Sequence, residues 1–95
     1  MSDITSFNVA YDRKADTLYI SDISRQSSRG AQDSFGIIWR YSPDGHVMGA
    51  TIMDFVELWQ ENTEELAVKL ADRLDLPVHQ AGLVIKRALQ LHSKH

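Results

Sequence analysis

The chain contains no cysteine, and only two prolines and five glycines among its 95 residues. Without thiols there are no disulfides, thiolate zinc sites or cysteine nucleophiles, so stability rests on packing, and a reducing compartment is compatible with the composition. The glycines are dispersed and none opens a helix after a strand, which excludes a phosphate-cradling or dinucleotide loop. No apolar run approaches the ~20 residues needed to cross a bilayer, and the start "MSDITSFNVAYD" has neither a basic nor an apolar signal region. A cytoplasmic setting is the resulting expectation. Positive charge is also short: 10 Lys and Arg against 13 Asp and Glu give a net charge of -3. That balance argues against nucleic acid as a partner, because duplex binding needs a concentrated basic surface.

What remains is ordinary for one globular domain spanning residues 1–95, with 43% apolar and 24% charged residues. "SFNVAY" alternates Phe7, Val9 and Tyr11 with small or polar residues, the period-two pattern of a strand buried on one face. "TLYISDI" follows, and the intervening "DRKAD" has hairpin-loop length, with Asp12 and Asp16 placed to accept backbone N–H groups. Residues 23–34 are polar and read as a loop with room for a short strand. "FGIIWRY" sets Phe35, Ile37, Trp39 and Tyr41 on one face; "SPDG" is a strong turn; and "HVMGATIMDF" forms a fourth strand with Met48, Ala50 and Ile52 on one side. Residues 7–55 therefore predict a four-stranded antiparallel β-meander.

The pattern then changes period. "NTEELAVKLADRLDL" repeats Leu66, Leu70 and Leu74 every four residues behind a capping Asn62 or Thr63, and Pro77 suits the first turn of a second helix running to the C-terminus. Residues 62–93 predict two C-terminal helices, so the fold class is α+β, with helices layered on one face of the sheet. Gly82 inside the second helix costs about 1 kcal/mol relative to alanine, which suggests close approach of another backbone.

On this arrangement Tyr19, Ile38, Met53 and Val47 face away from the main core stripe. Either the two helices separate and shield different parts of the sheet, or the uncovered face meets a second copy or another protein. Trp59, in the apolar link "MDFVELWQ", is a further candidate docking residue. The candidate interface set is Tyr19, Ile38, Met53, Trp59, Ile85 and Leu89, and a homodimer or a small protein partner is expected.

Catalytic chemistry finds little support. There is no GxSxG or related nucleophile constellation. His46, His79, His92 and His95 lack metal-ligand spacing, and the basic residues Lys86, Arg87 and Lys94 read as a solvated helix face. Asp12, Asp16, Asp44 and Asp54 offer oxygen ligands for a hard cation if they converge at one end of the sheet; as turn formers they need not. No cofactor, metal site or catalytic residue is assigned.

As an ordered set, Tyr11, Asp12, Ala15, Asp16, Leu18, Tyr19 and Ile20, then Tyr41, Asp44, Gly45, Val47, Gly49, Ile52 and Asp54, resemble the YuzE-like family of small bacterial domains of unknown function. The likeness covers about residues 7–55. Family members often carry acidic residues near the second turn, where this chain has Arg40 and Ser42, and the two helices extend beyond the family core. The resemblance implies a small β-meander plus helix, and it brings an association with antitoxin-type partners of small toxins. The expectation is a non-enzymatic protein-protein interaction module. The alternatives are an antitoxin-like partner and an enzyme or metal-binding protein using the turn aspartates.

Overall fold

A computed structural model describes residues 7–24 and 26–93; Lys94 and His95, named above, lie outside the described residues. Five strands precede three helices: β1 (Phe7–Asp12), β2 (Thr17–Asp22), β3 (Arg29–Gln32), β4 (Ile37–Tyr41), β5 (Val47–Ile52), α1 (Phe55–Trp59), α2 (Thr63–Leu74) and α3 (Val78–Ser93). The architecture is α+β, as expected, but with one more strand and one more helix. β3 is "RGAQ", exposed throughout and without apolar alternation, so its sequence carries no strand signal; it forms because β4 offers it a pairing edge.

The sheet is not a meander. Every neighbouring pair is antiparallel, and the order is β1-β2-β5-β4-β3. The last strand has moved to the centre, between β2 and β4, and the polar β3 lies at the edge. The physical reason lies in β5 itself, whose last five residues are all buried. A strand so apolar is stabilised between two others, whereas an exposed polar strand tolerates an edge. Gly49 marks the fit: a Cβ there would sit 2.3 Å from the Ile20 carbonyl oxygen and 3.0 Å from the Ser21 Cα.

Register sorts the two faces. Tyr11, Leu18, Ile52 and Ile37 lie in one cross-strand row, and Val9, Ile20, Ala50 and Trp39 in the next. This face meets the helices, with α3 over β1 and α2 over β5. Leu66, Leu70 and Leu74 from α2 and Ala81, Val84, Ile85 and Ala88 from α3 complete one continuous core. A bulge between Arg40 and Tyr41 shifts the register, with Arg40 opposite Gly49 and Tyr41 opposite Val47.

Several positions depart from the pattern. Phe35 precedes β4 and is exposed, with the Lys69 ammonium 3.5 Å from its ring centroid. Phe55 is fully buried, because the chain leaves the sheet after Ile52 and α1 turns the ring inward. Trp59 ends the same helix at 6% exposure, and Ile85 is 2% exposed; both are core residues and cannot supply an exposed contact surface. A Cβ added at Gly82 meets nothing within 4 Å, so no backbone of the chain itself approaches it.

Candidate functional site

Two features stand out, one polar and one apolar. The polar one is built on Asp16, which ends the β1–β2 turn in the left-handed region at φ 51°. Asp12 opens the same turn and accepts the N–H groups of Lys14 at 3.0 Å and Ala15 at 3.3 Å, as a turn former does. Asp16 reaches much further. Its carbonyl accepts the Phe55 N–H at 2.9 Å, and its carboxylate accepts those of Val56 at 2.9 Å and Glu57 at 3.2 Å. Asp54 precedes α1 but is itself left-handed and makes no side-chain cap, so the helix is capped from 40 residues away.

The Tyr11 hydroxyl donates to Asp16 at 2.6 Å and lies 3.2 Å from His92 Nδ1. Its single proton is committed to the carboxylate, so His92 is the donor through Nδ1–H. Burial, reinforced by the hydrogen bond to Asp16 and that charge, pushes the Tyr11 phenol up to about 12. Burial alone would raise Asp16, but the Tyr11 hydroxyl and the Val56 and Glu57 N–H groups outweigh it and hold the carboxyl below its usual range. A phenol kept protonated and a carboxylate fully engaged in hydrogen bonds make a clamp joining β1, the turn, α1 and α3. They are poorly disposed to act as a nucleophile and a base.

Asp44 lies in the β4–β5 turn, at the opposite end of β5 from Asp54, so the four aspartates do not converge. Its carboxylate accepts the Ser42 hydroxyl and the His46 N–H, and lies 3.0 Å from His46 Nδ1. Those interactions, the Ser42 hydrogen bond first, hold Asp44 well below the usual carboxylate range. Asp33, unremarked in the sequence, organises the β3–β4 turn: it accepts the N–H groups of Phe35 at 2.8 Å and Ile37 at 3.0 Å, and the Trp39 indole N–H at 2.9 Å. Among the described residues no three His, Cys, Asp or Glu side chains cluster as a metal site would require.

The apolar feature is a groove of about 590 Å³ between α2 and α3 on their outward side. Val68, Val78 and Leu83 line it and are exposed, Gly82 leaves its floor open, and Glu64 and Lys86 stand at its rim. Leu89, from the expected interface set, lines one end while packing against the core. His79 also lines the groove, so His46, His79 and His92 occupy three separate places. Val68 and Val78 sit on helix faces where periodicity alone registers only a scattered exposed valine.

Tyr19 and Ile38 lie in one cross-strand row on the sheet face away from the helices, Tyr19 exposed and Ile38 half-buried, whereas the exposed Met53 lies in the turn just past the end of β5. That face is mixed. Thr51 separates Tyr19 from Ile38 in the row and accepts the Arg40 Nε–H at 3.3 Å, and the next row runs Asn8, Ser21, Gly49, Arg40.

A model of the family DUF2283, described as a protein of unknown function, matches residues 8–55. The chain belongs to this family. The DUF2283 segment runs from β1 through the first residue of α1, and so contains the sheet, Asp16 and the Gly49 contact but neither wall of the groove. No curated protein and no solved structure matches the chain. Among the described residues no helix is long and apolar enough to cross a membrane.

Proposed function

We propose that this DUF2283 protein is a non-enzymatic protein-protein interaction module of the cytoplasm, with the sheet as scaffold and the outward face of α2 and α3 as its contact surface. The observation that carries the reading is the groove. Val68 is 55% and Leu83 40% exposed on opposite walls of an apolar channel whose floor is left open at Gly82. Apolar side chains gathered along a concave surface, with polar residues at the rim, are the usual form of a protein contact site. The far sheet face is the weaker candidate, because Thr51, Arg40 and Ser21 interrupt its apolar residues. The YuzE-like resemblance over residues 7–55 covers nearly the same span as the family match, which supports treating the sheet as the shared scaffold.

The test is a photo-crosslinking amino acid placed at Leu83 in one full-length protein and at Tyr19 in another, each irradiated in living cells. A protein adduct from position 83 and none from position 19 is expected. Adducts from position 19 alone, or none from position 83, would overturn the assignment of the surface.

A further inference from the structure

We propose that the occupant of the α2–α3 face is a second copy of this chain, related by a two-fold axis running along the groove, so that α2 of each copy lies antiparallel against α3 of the other. The inference rests on reading this face as the contact surface and names what fills it.

The first argument is level. Helices α2 and α3 are joined by residues 75–77 and pack against each other as an antiparallel hairpin. At a rise of about 1.5 Å per residue, Glu64 then stands level with Lys86, Val68 with Gly82 and Leu83, and Asp72 with His79. The groove lining agrees, since Glu64, Val68, Gly82, Leu83 and Lys86 all border the same channel. A two-fold axis along the channel preserves each level and exchanges the helices. Glu64 then meets Lys86 of the partner subunit, Val68 meets Gly82 and Leu83 of the partner subunit, and Asp72 meets His79 of the partner subunit. In an isologous contact every such pair forms twice.

The second argument is charge. Lys69 and Arg73, the basic residues of α2, are turned back over the Phe35 and Trp39 rings, at 3.5 Å and 5.2 Å from the ring centroids. The helix therefore presents Glu64, Glu65 and Asp72 outward, all exposed. Helix α3 contains no acidic residue and exposes Lys86 and Arg87. Among the described residues no ion pair engages Glu64, Asp72 or Lys86. An axis across the groove would set acidic helix on acidic helix; an axis along it sets acid on base. Charge thus selects the same axis that keeps Val68 opposite Gly82.

The third argument is fit. Gly82 weakens α3 without relieving any contact inside the chain. The exposed Val68 side chain of the second copy, at the same level, fills the space that a Cβ at Gly82 would occupy. Helices of this length, two abreast, offer a face of very roughly 400–500 Å² per copy. The total of roughly 800–1,000 Å² lies at or just below the lower bound for a specific interface, which implies a weak dimer that dissociates on dilution. The product is an antiparallel four-helix bundle with a sheet on each outer side.

Sedimentation velocity on the full chain, from low to high micromolar concentration, decides it. The natural sequence is expected to dimerise. Lys86→Glu and Glu64→Lys, each folded by circular dichroism, are expected to dimerise at least tenfold more weakly alone, and an equimolar mixture is expected to recover the dimer, because both pairs are then of opposite sign. Gly82→Leu is expected to remain folded and lose the dimer at least tenfold. A natural chain that stays monomeric at high micromolar concentration overturns the second copy as occupant; a position-83 adduct to a different protein would then leave the broader reading standing. A dimer indifferent to all three substitutions forms elsewhere and overturns the second copy as occupant of this face, while the position-83 adduct still decides the broader reading; a mixture that stays monomeric overturns the two-fold arrangement.

Discussion

Gly49 and Gly82 divide the molecule into two regions that treat the same residue type in opposite ways. In the sheet, Gly49 has no room for a side chain, because the backbone of β2 stands 2.3 Å from where a Cβ would be. In the helical pair, Gly82 has open space around it and a cost in helix propensity with no return inside the chain. The same division runs through the polar groups. Asp16 and Asp33 each satisfy several donors of their own chain, while Glu64, Asp72 and Lys86 stand outward on α2 and α3. The aspartates of the DUF2283 segment are thus spent on contacts within the chain, whereas the outward faces of the helices that follow it carry surface unused within the monomer.

Gly49→Ala gives the largest expected effect. The two central strands must part, at a cost of about 3 kcal/mol or more, which in a domain of this size lowers the unfolding temperature by roughly 12 °C or more. A midpoint within a few degrees of the natural chain in a thermal melt would remove Gly49 from one side of the comparison.

Asp16→Ala comes next. It leaves the Tyr11 hydroxyl and the Val56 and Glu57 N–H groups without their acceptor and puts alanine at φ 51°, for a loss of about 2–3 kcal/mol. Asp16→Asn keeps a residue that tolerates the left-handed region and is expected to lose about half as much in urea unfolding. Equal losses for the two would show that the lost carboxylate, and not backbone strain, is responsible.

The clamp also sets a pH dependence at both ends of the scale. Asp16 and Asp33 have folded values below 3.8, so their contribution is fully present above the unfolded value and is lost as pH falls through the folded one. Melting temperature followed from pH 6 toward about pH 2 should fall more steeply for the natural chain than for Asp16→Asn. Tyr11 works in reverse: its folded value of about 12 lies above 10.0, so its contribution holds below the unfolded value and disappears as pH rises through the folded one. Phenolate absorbance should show one tyrosine ionising near 12, and Tyr11→Phe should abolish that step.

Gly82→Ala is the smallest effect and opposite in sign to Gly49→Ala. In dilute solution it is expected to raise monomer stability by up to about 1 kcal/mol, read as a higher melting temperature. A fall instead would mean that Gly82 serves the chain itself, and the contrast between the two glycines would be lost.

Much of this fold is legible in the sequence. Alternation in "FNVAY" and "TLYI" and the turn at "SPDG" foretold β1, β2, β4 and β5, and the leucine spacing foretold α2. Each of those signals is local. Three things escaped because they are not. Strand β3 has no pattern of its own and exists through its neighbour. Trp59 looked like surplus apolar surface because nothing in "MDFVELWQ" tells which way a single helical turn points. The role of Asp16 was half visible: its place in the turn was plain, but its cap on α1 joins residues 40 positions apart.

The sequence by itself determined the kinds of element, most of their boundaries and the class α+β, because hydrophobic period and turn chemistry act over a few residues. Only the tertiary structure decided the order of the strands, with β5 in the middle, and which apolar residues were left outside. Pairing partners are chosen by burial summed over the whole sheet, and a residue counts as exposed only once every other element has taken its place.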